Sequence, residues 1–527
     1  MNLTIDPWIP ALRLDGRREL FSLQGLFAHA HELRDLAVKP HERIALMRLL
    51  ICITQAALDG PEDEAAWEGC QPLIQPGVRA YLEQWRNAFE LFGDGARFLQ
   101  ANGLKAEKKS GEKTRATKLD MTLATGNTAT LFDNQAAENR SIDGARAALN
   151  LLTFQCFTPS EIVGAGRLNV TDIPKRTGRQ APCSASSMVH TFILGKSVLE
   201  SVWLNLYDRE LVTDLYGNSG WGQPIWEISL PFLDEIFRKN AARTYLGRLV
   251  PISRLIHLEA DNQTILLVDG LIEYVIFDDP KKPQIVVFRE PHSTIRSRND
   301  QIAFLRGDIA KSMWRELGSV VAKRQSNTSQ TEGPPALTRR PIDRDLSIWI
   351  GCLITTKDEG IVDCLESSYL LPKEIFDPAG HEAYERGIEF AAQHAKKLAG
   401  MHGACCRYRL GLSHNIQTEG EFDAKVDRLP RGEKLHLREL LQSAEVQYWT
   451  HVEQHVESLL ELPRNKDLIT DLPNCAWGKA VQSAAGAAYE ASCPRQSPRQ
   501  IEAFALGLRR LNFHPQTNLQ PILKAHE

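Results

Sequence analysis

The sequence predicts an α+β protein: a large mixed α/β N-terminal domain over residues 1–375, then a C-terminal four-helix bundle over residues 376–527. Three observations predict it. The first part alternates β-branched runs with helical periodicity, whereas four segments after residue 380 are helical with few strand signals between them. A chain of 527 residues also exceeds what one hydrophobic core organises, and 43% apolar residues suffice to build more than one.

The opening Leu3-Thr4-Ile5 reads as a short strand stopped by Pro7 and Pro10, and Leu12 with Leu14 resumes alternation before a turn at Asp15-Gly16. From Pro40 to Ala57, Ile44, Leu46, Met47, Leu50, Ile51 and Ile53 recur at helical spacing, and Tyr81 to Phe92 does so less regularly. Between 102 and 134 the pattern collapses into a basic, flexible loop region with Lys105, Lys108, Lys109, Lys113, Arg115 and Lys118. Ser141 to Phe157 is helical again. A second basic, glycine-containing stretch, 164–187, carries Gly164, Gly166, Arg167, Lys175, Arg176 and Arg179.

Strand runs follow at Ile265 to Val268, Tyr274 to Phe277 and Gln284 to Phe288, separated by turns at Asp269-Gly270 and Asp279-Pro280, which predicts an antiparallel sheet. A helix is expected near Ile302 to Val321, then a linker or disordered loop from Lys323 to Arg340 around Gly333-Pro334-Pro335. The four C-terminal helices are expected at His381 to Met401, Lys434 to Leu462, Cys475 to Ser492 and Pro498 to Leu511.

Charge bounds the function. The formal net charge is −4, so a nucleic-acid surface has to be a local patch. The N-terminus lacks the layout of a signal peptide and Arg48 interrupts the apolar stretch Ile44 to Leu58, so a soluble, cytoplasmic protein without a membrane partner is expected. None of the ten cysteines forms a Cys-x-x-Cys pair, and the adjoining Cys405 and Cys406 suit neither a zinc knuckle nor easy disulfide geometry.

Catalytic patterns are weak. His451-Val452-Glu453-Gln454-His455 places two imidazoles one helical turn apart, as a zinc site needs, but Val452 stands where a zinc hydrolase needs its glutamate. Gly164-Ala165-Gly166 lacks the third glycine of a dinucleotide fingerprint, and no phosphate loop or nucleophile elbow occurs. No catalytic residue, metal or cofactor is expected. The two basic loops remain, where backbone N–H groups and lysines can meet phosphates.

The opening Met1 to Pro10 with Ser22-Leu23-Gln24-Gly25-Leu26, then Leu49 to Gln55, Arg97 to Ala106 and Leu131 to Gln135, closely resembles the large, CasA-type subunit of type I-E CRISPR Cascade. Ser443-Ala444-Glu445 and the run from Trp477 to Leu511 resemble that family's helical bundle, while 210–345 resembles it poorly. The resemblance implies a non-catalytic subunit working with crRNA, target double-stranded DNA, other Cascade subunits and a helicase-nuclease effector. It would read the flanking motif, help R-loop formation and help recruit the nuclease. Guide pairing spells the sequence and protein reads only the short motif, tolerantly, from the minor groove.

By the same resemblance, Phe132, Asp133, Asn134 and Gln135 belong to a loop contacting crRNA and a neighbouring subunit. Gly164 and Gly166 fall on a motif-contacting glycine loop, the absent Cβ permitting close backbone approach to base edges. Lys357-Asp358-Glu359 occupies a wedge hairpin tip, although that family usually has an amide followed by a small residue there. Lys281 and Lys282 are the nearest substitutes for a lysine finger. With Lys105, Lys108 and Lys109 these form the expected DNA-facing set. The rivals are a structural scaffold that does not read DNA and a metal-dependent hydrolase using His451 and His455.

Overall fold

The apolar run from Ile44 to Ile53 folds as one helix, Pro40–Leu58. Pro40 sits in its first turn, where a missing N–H is no loss, and the Glu42 carboxylate accepts the Lys39 backbone N–H at 3.0 Å. Side chains from His41 to Gln55 are buried, apolar and polar alike, so this helix has no solvated face and runs through its unit. The computed structural model describes residues 1–106, 114–123, 141–158, 164–169, 171–173, 181–228, 235–261, 263–270, 290–298, 301–323, 331–356, 360–413 and 419–511. The chain divides into two compact units, Met1–Leu371 and Pro372–Glu527.

Arg48, the charge inside the apolar run, is accommodated by a buried ion network. Its Nε donates to the Leu249 carbonyl at 2.9 Å, one Nη donates to the Pro291 carbonyl at 3.3 Å, and the other donates to the Arg248 carbonyl and the Glu290 carboxylate. Glu290 has no exposed surface, and its second oxygen accepts Arg248 Nε at 3.0 Å. One carboxylate thus ties the middle of the long helix to the helix Tyr245–Leu249 and to the segment around Pro291.

The strands of the first unit are β1 (Ile9–Arg13), β2 (Arg18–Phe21), β3 (Leu33–Leu36), β4 (Leu104–Ala106), β5 (Thr114–Arg115), β6 (Gly166–Leu168), β7 (Thr171–Ile173), β8 (His190–Leu194), β9 (Arg254–Leu258), β10 (Thr264–Asp269), β11 (Ile295–Arg298), β12 (Gln301–Phe304), β13 (Leu346–Thr356) and β14 (Gly360–Leu371). They form small antiparallel sheets in the orders β2-β1-β3, β4-β6-β7, β5-β10-β9, β11-β12 and β14-β13-β8.

Several expectations are corrected. Leu3 to Ile5 is a turn and the first strand starts beyond Pro7, because Asn2 and Asp6 capture the local backbone. Asn2 Oδ1 accepts Thr4 N at 3.0 Å, and Asp6 Oδ2 accepts Asn2 N at 2.7 Å. The helix expected at Tyr81 to Phe92 lies earlier, at Gln71–Gln84, accommodating Pro76 within it, and only a 3-10 turn, Arg86–Phe89, follows. Residues 302–321 are not one helix: β12 ends at Phe304, Asp308 Oδ1 caps a turn by accepting Ala310 N at 2.9 Å, and a 3-10 turn, Met313–Glu316, leads into a short α-helix, Leu317–Val321. Nor is all of 323–340 a linker. Gly333 to Thr338 is buried, and a Cβ at Gly333 would collide with the Val320 carbonyl. Both expected basic loops contain strands, β4 and β5 in the first and β6 and β7 in the second. The runs at 274–277 and 284–288 lie outside the described residues.

The second unit is helical, as expected, but the helix expected at Lys434 to Leu462 is divided after Glu453, and Ala404–Ser413 and Glu419–Arg428 are helices in addition to those expected. Its elements are Pro378–Ala399, Ala404–Ser413, Glu419–Arg428, Arg431–Glu453, Val456–Arg464, Ala476–Ser492 and Pro498–Leu511. Buried aromatics lock them with specific hydrogen bonds. Trp477 Nε1 donates to the Gly387 carbonyl at 2.9 Å, Tyr448 Oη to the Ala391 carbonyl at 2.7 Å and Tyr489 Oη to the Phe504 carbonyl at 2.8 Å. Gly387 is a place where a side chain has no room, since its Cβ would stand 2.5 Å from Leu459 and 2.6 Å from Leu462. No helix among the described residues is long and apolar enough to cross a membrane.

Removing the shared carboxylate should expose the cost of the buried network. Glu290→Ala removes the carboxylate that two buried guanidiniums share and is expected to destabilise the first unit by on the order of 3–5 kcal/mol. Arg17→Gln, which breaks an exposed pair with Asp15, should cost below about 1 kcal/mol. Urea unfolding of the two variants checks this; equal midpoints would contradict it.

Candidate nucleic-acid interface

Alternation on β4 and β6 sets the two faces of the sheet β4-β6-β7. Leu104, Gly166, Leu168 and Ile173 are buried, whereas Lys105, Arg167 and Asp172 are exposed. The register places Lys105 opposite Arg167 and Arg167 opposite Asp172, so these three side chains form one row across the outer face. Arg167 Nε donates to Asp172 Oδ1 at 2.7 Å, with the two side chains 56% and 77% exposed. That hydrogen bond holds the Asp172 carboxyl below its usual range and lifts the Arg167 guanidinium above its own. Among the described residues Lys105 has no ion-pair partner, so the row keeps a net positive charge.

The inner face explains Gly166. It is a buried strand residue rather than part of an open loop, and an added Cβ would meet Val268 of β10 at 2.6 Å and the Lys105 carbonyl at 2.7 Å. Its missing side chain therefore lets β6 press onto β10. Gly164, half-buried, lies in the irregular approach to β6. The β6–β7 turn contains Asn169 at φ 51°, facing Gly103 at φ 77°, where a Cβ would strike the Asn169 side chain.

The hairpin β13–β14 is the longest in the molecule among the described residues, its arms 11 and 12 residues long. Its arm β13 is buried through Ile348, Trp349, Ile350, Cys352 and Leu353, which anchors it, and the Trp349 indole donates to Glu366 at 3.0 Å. Near the far end, Thr355 N donates to Ser187 Oγ at 3.0 Å. The pairing shifts between Ile354 and Thr355, with Asp363 opposite the first and Ile361 opposite the second, so Val362 is an extra residue. Burial raises the thiols of Cys352 and Cys364 to about 12 and about 11, so neither is a nucleophile at neutral pH.

Of the sequence-derived candidates, the structure describes Lys105, Gly164 and Gly166; it brings Lys105 and Gly166 to one small sheet and leaves Gly164 in the irregular approach to it. Lys108, Lys109, Phe132, Asp133, Asn134, Gln135, Lys281, Lys282, Lys357, Asp358 and Glu359 lie outside the described residues. The zinc-like pair is not on one helix: Arg431–Glu453 ends before His455, which stands just ahead of Val456–Arg464, and His451 Nδ1 is already engaged with the Gln447 carbonyl at 2.7 Å. Among the described residues no group of three or more His, Cys, Asp or Glu side chains could hold a metal ion. Reading residues 164–187 as loop misses the partnership of Arg167 with Asp172. The alternation Gly166-Arg167-Leu168, a turn residue at Asn169, then Thr171-Asp172-Ile173, is the signal that finds it.

Known proteins similar to this chain agree with one another. The family described as CRISPR-associated protein Cse1 matches residues 2–488. A curated CRISPR-associated protein CasA/Cse1 from Thermus thermophilus is 26% identical over 405 residues, covering 74% of this chain and 75% of the relative. Among solved structures, Cse1 from Acidimicrobium ferrooxidans is similar with a TM-score of 0.72 at 20% identity, covering 97% of this chain and 96% of that one. A chain of a structure described as a CRISPR RNA-guided surveillance complex gives a TM-score of 0.70 at 16% identity, covering 97% and 99%.

The tight packing at Gly166 can be checked directly. Gly166→Ala should overpack the β6–β10 contact and cost about 1–3 kcal/mol. Adding Val268→Ala should restore part of that stability, though not all, because the Lys105 carbonyl also crowds the site. A double-mutant cycle in urea unfolding measures the coupling, and additive effects would rule the contact out.

Proposed function

The chain belongs to the CRISPR-associated protein Cse1 family, and from that premise we propose that it is the large, non-catalytic subunit of a type I-E Cascade surveillance complex guided by crRNA. The observation that carries this reading is the family match running from residue 2 to residue 488, which takes in nearly all of the first unit and most of the second. In this role the subunit recognises the short motif flanking a target in double-stranded DNA, helps the guide open the duplex into an R-loop, and helps recruit the helicase-nuclease. It performs no chemistry of its own, and it works in the cytoplasm.

The physical parts suit the task. The positive row on β4-β6-β7 favours phosphate, and an exposed sheet face can track a backbone without reading bases. Gly164 is the glycine free to approach a base edge, while Gly166 acts by letting β6 sit close on β10. Lys108 and Lys109, which follow β4 in the sequence, extend the basic character, with Lys281 and Lys282 as further phosphate contacts. The anchored hairpin β13–β14 presents Lys357-Asp358-Glu359 as a wedge, with Lys357 leading since carboxylates are repelled by phosphates. Phe132, Asp133, Asn134 and Gln135 contact the crRNA and a neighbouring subunit.

Charge reversal separates this reading from a scaffold that only bridges neighbours. In the complete ribonucleoprotein, Lys105→Glu with Lys108→Glu and Lys109→Glu should weaken target binding at least about tenfold at physiological salt. It should also flatten the dependence of log K on log salt by about 0.9 for each phosphate no longer neutralised. Titrating duplexes with and without the flanking motif checks both; unchanged affinity favours the scaffold, and equal affinity for both duplexes removes the motif-reading role.

A further inference from the structure

Resting on that reading, we propose that Asp172 is an internal counter-ion on a phosphate seat: it holds Arg167 until a nucleic-acid phosphodiester displaces it, and the phosphate then lies between Lys105 and Arg167.

Lys105 and Arg167 are directly opposed on antiparallel strands, which brings their Cβ atoms to roughly 5 Å and sets like charges side by side. Such a pair weakens a sheet unless an anion lies near it. Asp172 supplies one carboxylate, but from the far side of Arg167, so it neutralises the guanidinium and leaves Lys105 without a counter-charge among the described residues. An anion settling between the two cations would satisfy both.

The outer face admits such a guest. Arg167 and Asp172 are 56% and 77% exposed, so their pair is solvated and easily broken. A phosphodiester offers the guanidinium two oxygens in place of one carboxylate contact, and it places charge beside the ammonium as well. Among the described residues the outward row is Lys105, Arg167 and Asp172, and two directly opposed cations suit a phosphate between them better than a base edge. The seat therefore recognises backbone, and the exchange of Asp172 for phosphate is a toll levied equally on every duplex. Its effect is to weaken sequence-independent binding, which leaves motif contacts and guide pairing to decide which duplex is retained.

The test uses the full ribonucleoprotein and compares the unmodified chain with Asp172→Asn, Arg167→Gln and the combination, on duplexes with and without the flanking motif across a salt series. Asp172→Asn should tighten binding to both duplexes about three- to tenfold and steepen the salt slope by up to about 0.9, the value for one added phosphate contact. Arg167→Gln should weaken both, and on that background Asp172→Asn should add little. If the unmodified complex binds with a clear salt slope but Asp172→Asn leaves affinity and slope unchanged, the counter-ion role is overturned while the DNA-binding reading stands. Absence of any salt-dependent duplex binding in the unmodified complex overturns both. Thermal unfolding of each variant, expected unchanged because both side chains are exposed, separates these outcomes from misfolding.

Discussion

A single carboxylate buried without access to solvent, Glu290, faces two guanidiniums that are just as hidden, and the first unit is arranged around that fact. Taking these groups out of water costs more than an apolar contact of the same size, so the network contributes less to net stability than to choosing one arrangement over others. Arg48 also caps carbonyls of Arg248, Leu249 and Pro291, which would otherwise be buried backbone acceptors. His292 beside it packs against Phe192 and Tyr207 at ring separations of 5.0 and 5.1 Å. Burial, and then the nearby Arg48 charge, keep its imidazole neutral, so no further positive charge is added to the cluster.

How far the sequence discloses this follows from which interactions are local. The helices Pro40–Leu58 and Gly144–Phe157, the strand β10, and the helices Pro378–Ala399, Ala476–Ser492 and Pro498–Leu511 are legible because one face or one run of apolar residues decides them. Pairings across long separations are not. Glu290 lies 242 residues from Arg48, and no spacing rule links them. Arg48 reads in sequence as a break in an apolar helix, and only the fold turns it into the residue that joins three segments. The break in the second unit between Glu453 and Val456 is also invisible to periodicity, since apolar residues continue on both sides.

The candidate interface is half legible for the same reason. Lys105, Gly164 and Gly166 stand out by composition, but that Lys105 and Gly166 share one sheet is a matter of register between segments some 60 residues apart. The structure adds a division of labour along three consecutive residues of one strand. Gly166 and Leu168 face inward, Gly166 against Val268 of β10, and Arg167 between them is thereby aimed outward. A packing requirement on the hidden side sets where the visible charge stands. Composition alone reports such glycines as pliant, whereas here the lack of a side chain makes the contact tighter.

The extra residue in the long hairpin carries a consequence of another kind. In an unbroken ladder the in-and-out rhythm dictated by the core propagates to the very end, so whatever stands at the extremity is constrained by what the interior tolerates. Val362 resets that rhythm between the interior contacts of Cys352 and Leu353 and the end of the hairpin. Beyond the reset, the chemistry carried at the extremity is decoupled from the anchorage: one handle can be refitted with different working edges without repacking the protein that grips it.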